Sequence, residues 1–361
     1  MTPRPLVMPL LLAALAGTGG CGPAAREVPP EEPLPAPTDT VLTPFAQVPR
    51  AAPLDRDRWV VVASDWDAVV VVDFRAGTST PLGAGAGRDF QRPVDLFAAG
   101  DSVYVADWGL RRLTIWDRSG RRVGELSMPD AVRGVFPKAR DAAGRFYFEP
   151  PLIAGREGLG LRDSIVVVRG SADLTRFDTV ARLAPPEIAE VTRDQRRRFE
   201  RMIYGAQDRW GVLPDGSVWV ARTLRNRVWW IDPQGASSRG PSLPDPVFEV
   251  TDADRRDFFA QFPPELRSSA EGLPFAMVKP PFEGAWTGPD GMIWLEKSRA
   301  AMDSVRRVHV VDRSGQLARW LVVPSRGRII GVADSALLVA EQWREGVRLL
   351  RVTVPAGRVA P

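Results

Sequence analysis

DSVYVADWGLRRLTIWDRSG, residues 101–120, is answered further along the chain by GSVWVARTLRNRVWWIDPQG, residues 216–235. The apolar letters are kept and the charged ones are exchanged. Related stretches start at Arg58 (RWVVVASDWDAVVVVDFRAG), Gly144, Asp290 and Asp334, so the chain carries about six copies. Each copy runs turn, β-branched and aromatic strand, variable polar loop, second strand, and a closing turn such as DRSG or DPQG. That order specifies an antiparallel hairpin.

Short further segments precede the hairpins, such as PVDLFAA and RIIGVA, and others follow them, such as RVGELSM and QLARWLVV. Four antiparallel strands per unit, at a spacing of roughly 40 to 55 residues, describe a sheet that cannot bury both faces alone. It can do so by stacking on its siblings around an axis. The expected fold is all-β, a six-bladed β-propeller of four-stranded antiparallel blades, over residues 55–358. The kept letters should face neighbouring blades and the exchanged ones should be solvated loop residues. The repeats resemble those of the six-bladed, NHL-like β-propeller family, whose pattern of turn, hYVAD, Arg-bearing loop, RhxhhD and Gly is matched most closely by residues 101–120. That resemblance implies an architecture, since such propellers host unrelated functions. The last copy lacks an outer strand, so TVLTPFAQV, residues 40–48, or the segment after it, is expected to complete the final blade and leave no open edge.

VTRDQRRRFERMI from Val191 and VTDADRRDFFAQF from Val250 share Val-Thr, Arg-Arg and Phe in register. A capping Thr and apolar side chains four apart (Phe199 with Ile203, Phe258 with Phe262) predict two helical insertions, at about 187–203 and 250–268.

With 361 residues, 44% apolar content and 12 Trp, the chain can bury a substantial core. Its net charge of +4 arises from 48 basic and 44 acidic residues that are interspersed, a distribution that argues against a nucleic-acid partner. MTPRPLVMPLLLAALAGTGGC places a basic residue, an apolar run and small residues before the sole cysteine, Cys21. This start resembles a bacterial lipoprotein signal, which implies removal of residues 1–20, lipidation of Cys21 and attachment to the cell envelope, at the periplasmic face or outer membrane. Residues 21–54, rich in Pro, Ala and Glu, read as an extended tether. The expected partners are the membrane, through that lipid, and an envelope protein, peptide or glycan; the propeller itself reads as a monomer.

In a four-stranded blade the loop between second and third strands shares a face with the connection between blades. Three copies place Trp in that loop: Trp66, Trp108 and Trp343, on blades one, two and six, which adjoin once the ring closes. Beside them stand Asp65, Asp107, Arg112, Glu341 and Arg344, with Arg222 and Lys297 further round. Aromatic faces next to hydrogen-bonding charges suit sugar rings or extended peptides, so this rim is the first candidate ligand site. The alternative is a central-channel site for a hydrolase or lyase, lactonase-like, built from Asp95, Lys138, Asp208, Arg209 and Glu283 around a divalent cation. Against catalysis, the one histidine, His309, falls within a strand, where a buried, hydrogen-bonded role is expected, and the one asparagine, Asn226, lies in a rim loop. No phosphate loop, CxxC or HExxH occurs. No catalytic set, resident metal or cofactor is assigned.

Overall fold

A computed structural model describes residues 28–356, apart from 38, 84–88, 133, 151–163, 194–195, 261–266, 268–269 and 289. The start of the chain, including Cys21 and the apolar run before it, lies outside the described residues.

The chain forms six antiparallel blades in a ring. Listing strands from the channel outward, blade 1 is Ala51–Pro53, Arg58–Ala63, Ala68–Asp73 and Thr78–Pro81. Blade 2 is Pro93–Ala99, Ser102–Asp107, Arg112–Asp117 and Arg122–Ser127. Blade 3 comprises Pro137–Arg140, Phe146–Phe148, Ile165–Gly170 and Phe177–Leu183; blade 4 comprises Arg209–Val212, Val218–Arg222, Arg227–Ile231 and Ser237–Arg239. Blade 5 holds Phe282–Thr287, Ile293–Lys297, Arg306–Val311 and Leu317–Val323, and blade 6 holds Arg328–Ala333, Ala336–Trp343 and Gly346–Thr353. The missing fourth strand of blade 6 is Asp39–Thr43, paired antiparallel with Gly346–Thr353, as the sequence leads one to expect. Val41 enters the core beside Trp59 and Leu349, and the Thr43 hydroxyl donates to the Val347 carbonyl at 2.8 Å.

Middle strands are buried on both faces because each blade is a filling between two others. Arg58–Ala63 and Ser102–Asp107 are buried along almost their whole length, whereas the outer strand Arg122–Ser127 is half solvated. The core accordingly divides into six clusters, one per blade-to-blade interface. Trp59 packs with Leu338 between blades 1 and 6, and Val62 with Leu96 and Trp116 between blades 1 and 2. Tyr104 meets Phe146, Val167 meets Val220, Trp219 meets Phe282, and Val310 meets Leu337 at the other four. The closing turns are made by Asp117, Asp232 and Asp312, each of which accepts two backbone N–H groups of its own turn. Gly120 and Gly235 follow at φ 79° and 92°, where a side chain would be strained.

Two sequence expectations need correction. The insertion before blade 4 is a β-hairpin, Ile188–Arg193 paired with Arg196–Arg201, and not a helix. On a helix Arg197 and Arg201 would stand four apart as like charges; in the hairpin Arg197 instead meets Glu190 across the strands at 3.0 Å. The second insertion does contain a helix, Asp252–Ala260, and Thr251 caps it. The Thr251 hydroxyl accepts from the Asp254 backbone while the Asp254 carboxylate accepts from the Thr251 backbone N–H at 2.9 Å, a reciprocal cap. The stretch read as a tether is also drawn onto the ring within residues 31–53. Besides the closing strand and the innermost strand of blade 1, Glu31–Pro33 adds a fifth, parallel strand outside blade 5.

Candidate functional site

Two places gather chemistry, a rim and the central channel. The turns between second and third strands, and both insertions, lie on one face of the ring by their position in the topology. Trp66, Trp108 and Trp343 all lie at such turns on consecutive blades, 57%, 56% and 49% exposed. Each indole is braced. Phe45 meets Trp66 edge-on at 5.2 Å, and Arg92 and Arg348 lie 5.1 Å from the ring centroids of Trp108 and Trp343. Leu110 is exposed in the turn of Trp108, Leu224 and Met302 at further turns of this face, and Phe199, Val247 and Met277 on the insertions. Most of the exposed large apolar side chains therefore belong to one face.

The charged residues singled out beside the tryptophans do a different job. Asp107 is fully buried and accepts the backbone N–H groups of Gln91, Arg92 and Leu110 at 2.9, 3.0 and 3.2 Å. It pins the incoming connector to the turn that carries Trp108. Asp65 does the same for Ala46 and Gln47, and the half-buried Glu341 accepts from the Ser325 hydroxyl and is paired with Arg348. Glu341 lies below its ordinary pKa: hydrogen bonds from Ser325 and Arg348 outweigh burial, the largest single influence, which pushes it up. In blade 4 the polarity is reversed. Arg222 occupies the position of Asp107, and the acid is on the connector: Asp208, buried, accepts from Arg222 at 2.7 Å and from the backbone of Ala184 and Thr223. Blade 5 repeats the reversed form, with the buried Lys297 Nζ 2.6 Å from Asp245, which also accepts from Asn226. The exchanged letter at this one position is thus not a solvated loop residue but a connector lock of either sign, while others in the same turns, such as Leu110 and Arg225, are exposed as expected. Arg112 is likewise engaged, donating to the Asp89 carbonyl at 2.6 Å and to Glu125; Arg344 is exposed in the turn beyond Trp343.

The channel encloses a cavity of about 800 Å³ lined by the inner strands of all six blades. At the level where those strands begin, Arg50 lies 3.6 Å from Asp95, and Lys138 is 3.0 Å from Glu149, which also accepts from the Trp210 indole at 2.5 Å. Arg306 bridges the buried Glu296, at 2.6 Å, and Glu283, at 3.2 Å. Arg209 donates to the Glu283 carbonyl at 2.9 Å. Burial, supported by the nearby Glu283, raises Glu296 to about 7 against the pull of Arg306. Of the channel residues read from the sequence, Asp95, Lys138, Arg209 and Glu283 lie toward this end in separate contacts, joined only where Arg209 reaches the Glu283 carbonyl, while Asp208 belongs to the lock. Among the described residues no three His, Cys, Asp or Glu side chains gather as a metal cage. Sequence reading missed Glu149 and Glu296. Their signal was present: each occupies the position of the alanine in the VYVAD pattern.

His309 is buried but not hydrogen-bonded as expected. Neither ring nitrogen has a partner among the described residues; Asp245 lies 3.6 Å away and Trp320 packs edge-on at 4.7 Å. Burial, helped by the Lys297 charge, holds it down to about 4. Trp116, Trp219 and Trp294 are core residues, as their strands imply. Trp229 is only half-buried, with Arg222 and Arg239 both 4.4 Å from its ring centroid.

No protein-family model matches the chain, and comparison with curated proteins finds no match. Solved structures with a similar path include a gluconolactonase from Xanthomonas campestris, 13% identical over 91% of this chain and 99% of that one, TM-score 0.45. A virginiamycin B lyase from Staphylococcus aureus is 10% identical over 88% and 97%, TM-score 0.42. Regucalcin, a calcium-binding protein from Agrobacterium tumefaciens, is 12% identical over 89% and 96%, TM-score 0.42. The chain is an all-β, six-bladed propeller, and these are likenesses of chain path.

Proposed function

We propose that the protein is a non-catalytic binding propeller, held on a bacterial envelope through a lipidated Cys21, that takes an extended peptide, a protein segment or a glycan across its tryptophan-bearing rim. The observation that supports this reading is the set of three half-exposed, braced indoles on consecutive blades of one face. An indole left half in water is a costly way to end a turn, and covering its exposed half is worth roughly 2–3 kcal/mol. Bracing by Phe45, Arg92 and Arg348 fixes the rings beforehand, so less freedom is lost when a ligand docks.

Oligosaccharides of envelope glycans and a panel of extended peptides, titrated against the intrinsic tryptophan fluorescence, test the reading. A saturable change is expected for one class. Replacing Trp66, Trp108 and Trp343 together by Ala should abolish it while the melting temperature stays within about 2 °C of the parent. A ligand that binds the triple variant as tightly as the parent overturns the assignment.

A further inference from the structure

The charges at the start of the inner strands do not balance. Asp95, Arg209 and Arg328 each sit opposite the same alanine of the repeat, Ala106, Ala221 and Ala340, so they share one level of the channel. At that level Asp95 is matched by Arg50, Glu149 by Lys138, and Glu283 and Glu296 by Arg306. Arg306 serves two carboxylates, so the five cations exceed the four carboxylates by one, and Arg209 and Arg328 are the two without an ion pair. Arg209 is satisfied only by neutral oxygens, the Glu283 carbonyl and Gln207 Oε1, and its Nε is buried without a partner. Arg328 is exposed and forms no hydrogen bond or ion pair among the described residues.

We propose that Arg209 and Arg328, flanked by Arg50, form an anion site at this end of the central channel, suited to a carboxylate or phosphate group. Guanidinium forks grip such planar or tetrahedral oxyanions through paired hydrogen bonds, and neither of these two forms an ion pair with a carboxylate of the chain. Burial, followed by the charge of Arg50, holds Arg209 below its ordinary pKa. The site is independent of the tryptophan rim, so the triple Trp variant should retain it.

Inorganic phosphate and succinate, each titrated calorimetrically into the whole protein, test the proposal. Saturable binding of at least one is expected, and phosphate alone or succinate alone identifies the oxyanion. Arg328→Gln should weaken that binding about tenfold, the effect of one charge-assisted hydrogen bond, while the exposed Arg75→Gln leaves it unchanged. Because Arg328 bonds to nothing, Arg328→Gln should melt no lower than the parent without ligand. Failure of both anions to bind, unchanged affinity in Arg328→Gln, or a clear fall in its melting temperature would each overturn the site.

Discussion

At position 107 a carboxylate, and at the matching position 222 a guanidinium, hold the same kind of joint between blades. Asp208 completes the second one. Removing it strands the Arg222 charge and the buried N–H groups of Ala184 and Thr223, so Asp208→Ala should cost about 3 kcal/mol. Arg222→Ala leaves the acid its backbone donors and should cost roughly 1 kcal/mol; urea unfolding of both and of the double variant gives their coupling. Two buried groups set the pH response. His309 has its pKa lowered from 6.5 to about 4, so the unfolded chain binds the extra proton as pH falls through that window, and stability present above pH 6.5 is lost. Glu296, raised from 4.5 to about 7, acts oppositely: the folded chain holds the extra proton, and stability present below pH 4.5 is lost as pH rises to about 7. Melting curves between pH 4.5 and 6.5 should therefore show His309→Phe removing acid sensitivity and Glu296→Gln making the parent's acid loss steeper. Identical slopes in all three proteins would refute both assignments.

At the scale of elements, the strands were legible wherever both faces are covered by neighbours, because burial then demands unbroken apolar letters, as in WVVVA of blade 1. Elements decided by their partners were not. The hairpin Ile188–Arg201 carries a pattern that fits a helix equally well, and pairing of Glu190 with Arg197 separates the alternatives. Glu31–Pro33 has no strand-like content at all; it is held by Glu31 on Arg307 at 2.9 Å and Glu32 on Arg319 at 2.5 Å, and its Pro tolerates an edge. The rim tryptophans were readable as a set, whereas the lock role of Asp107 and the channel role of Arg328 emerge only when the connectors and inner strands are in place. The two N-terminal strands differ in consequence. Deleting residues 1–37 should lower the melting temperature by only a few degrees, whereas deleting 1–44 strips blade 6 of its outer strand and should lower it by more than about 10 °C or cause aggregation. Equal melting of both truncations would show that the ring does not depend on Asp39–Thr43.

For the whole molecule, six interfaces of similar make-up leave the two ends of the channel free to specialise. One carries the indoles, Arg209 and Arg328; at the other, Asp55, Asp101 and Asp334 lie in turns between first and second strands. The proposed attachment through Cys21 is compatible with an open tryptophan face, since the first paired strand, Glu31–Pro33, lies on the outer edge of blade 5. Cys21→Ser should shift the protein from the membrane pellet to the soluble fraction without altering its melting; retention in the pellet would remove the anchor from the proposal.

The clasp between Asp39–Thr43 and Gly346–Thr353 joins the earliest and latest parts of the propeller to be synthesised. Its formation brings together residues roughly three hundred positions apart, an entropic toll that makes it a slow step in assembly. A nascent propeller is therefore an arc with two bare edges until the final strand emerges, open to edge-to-edge pairing with other copies for as long as that takes.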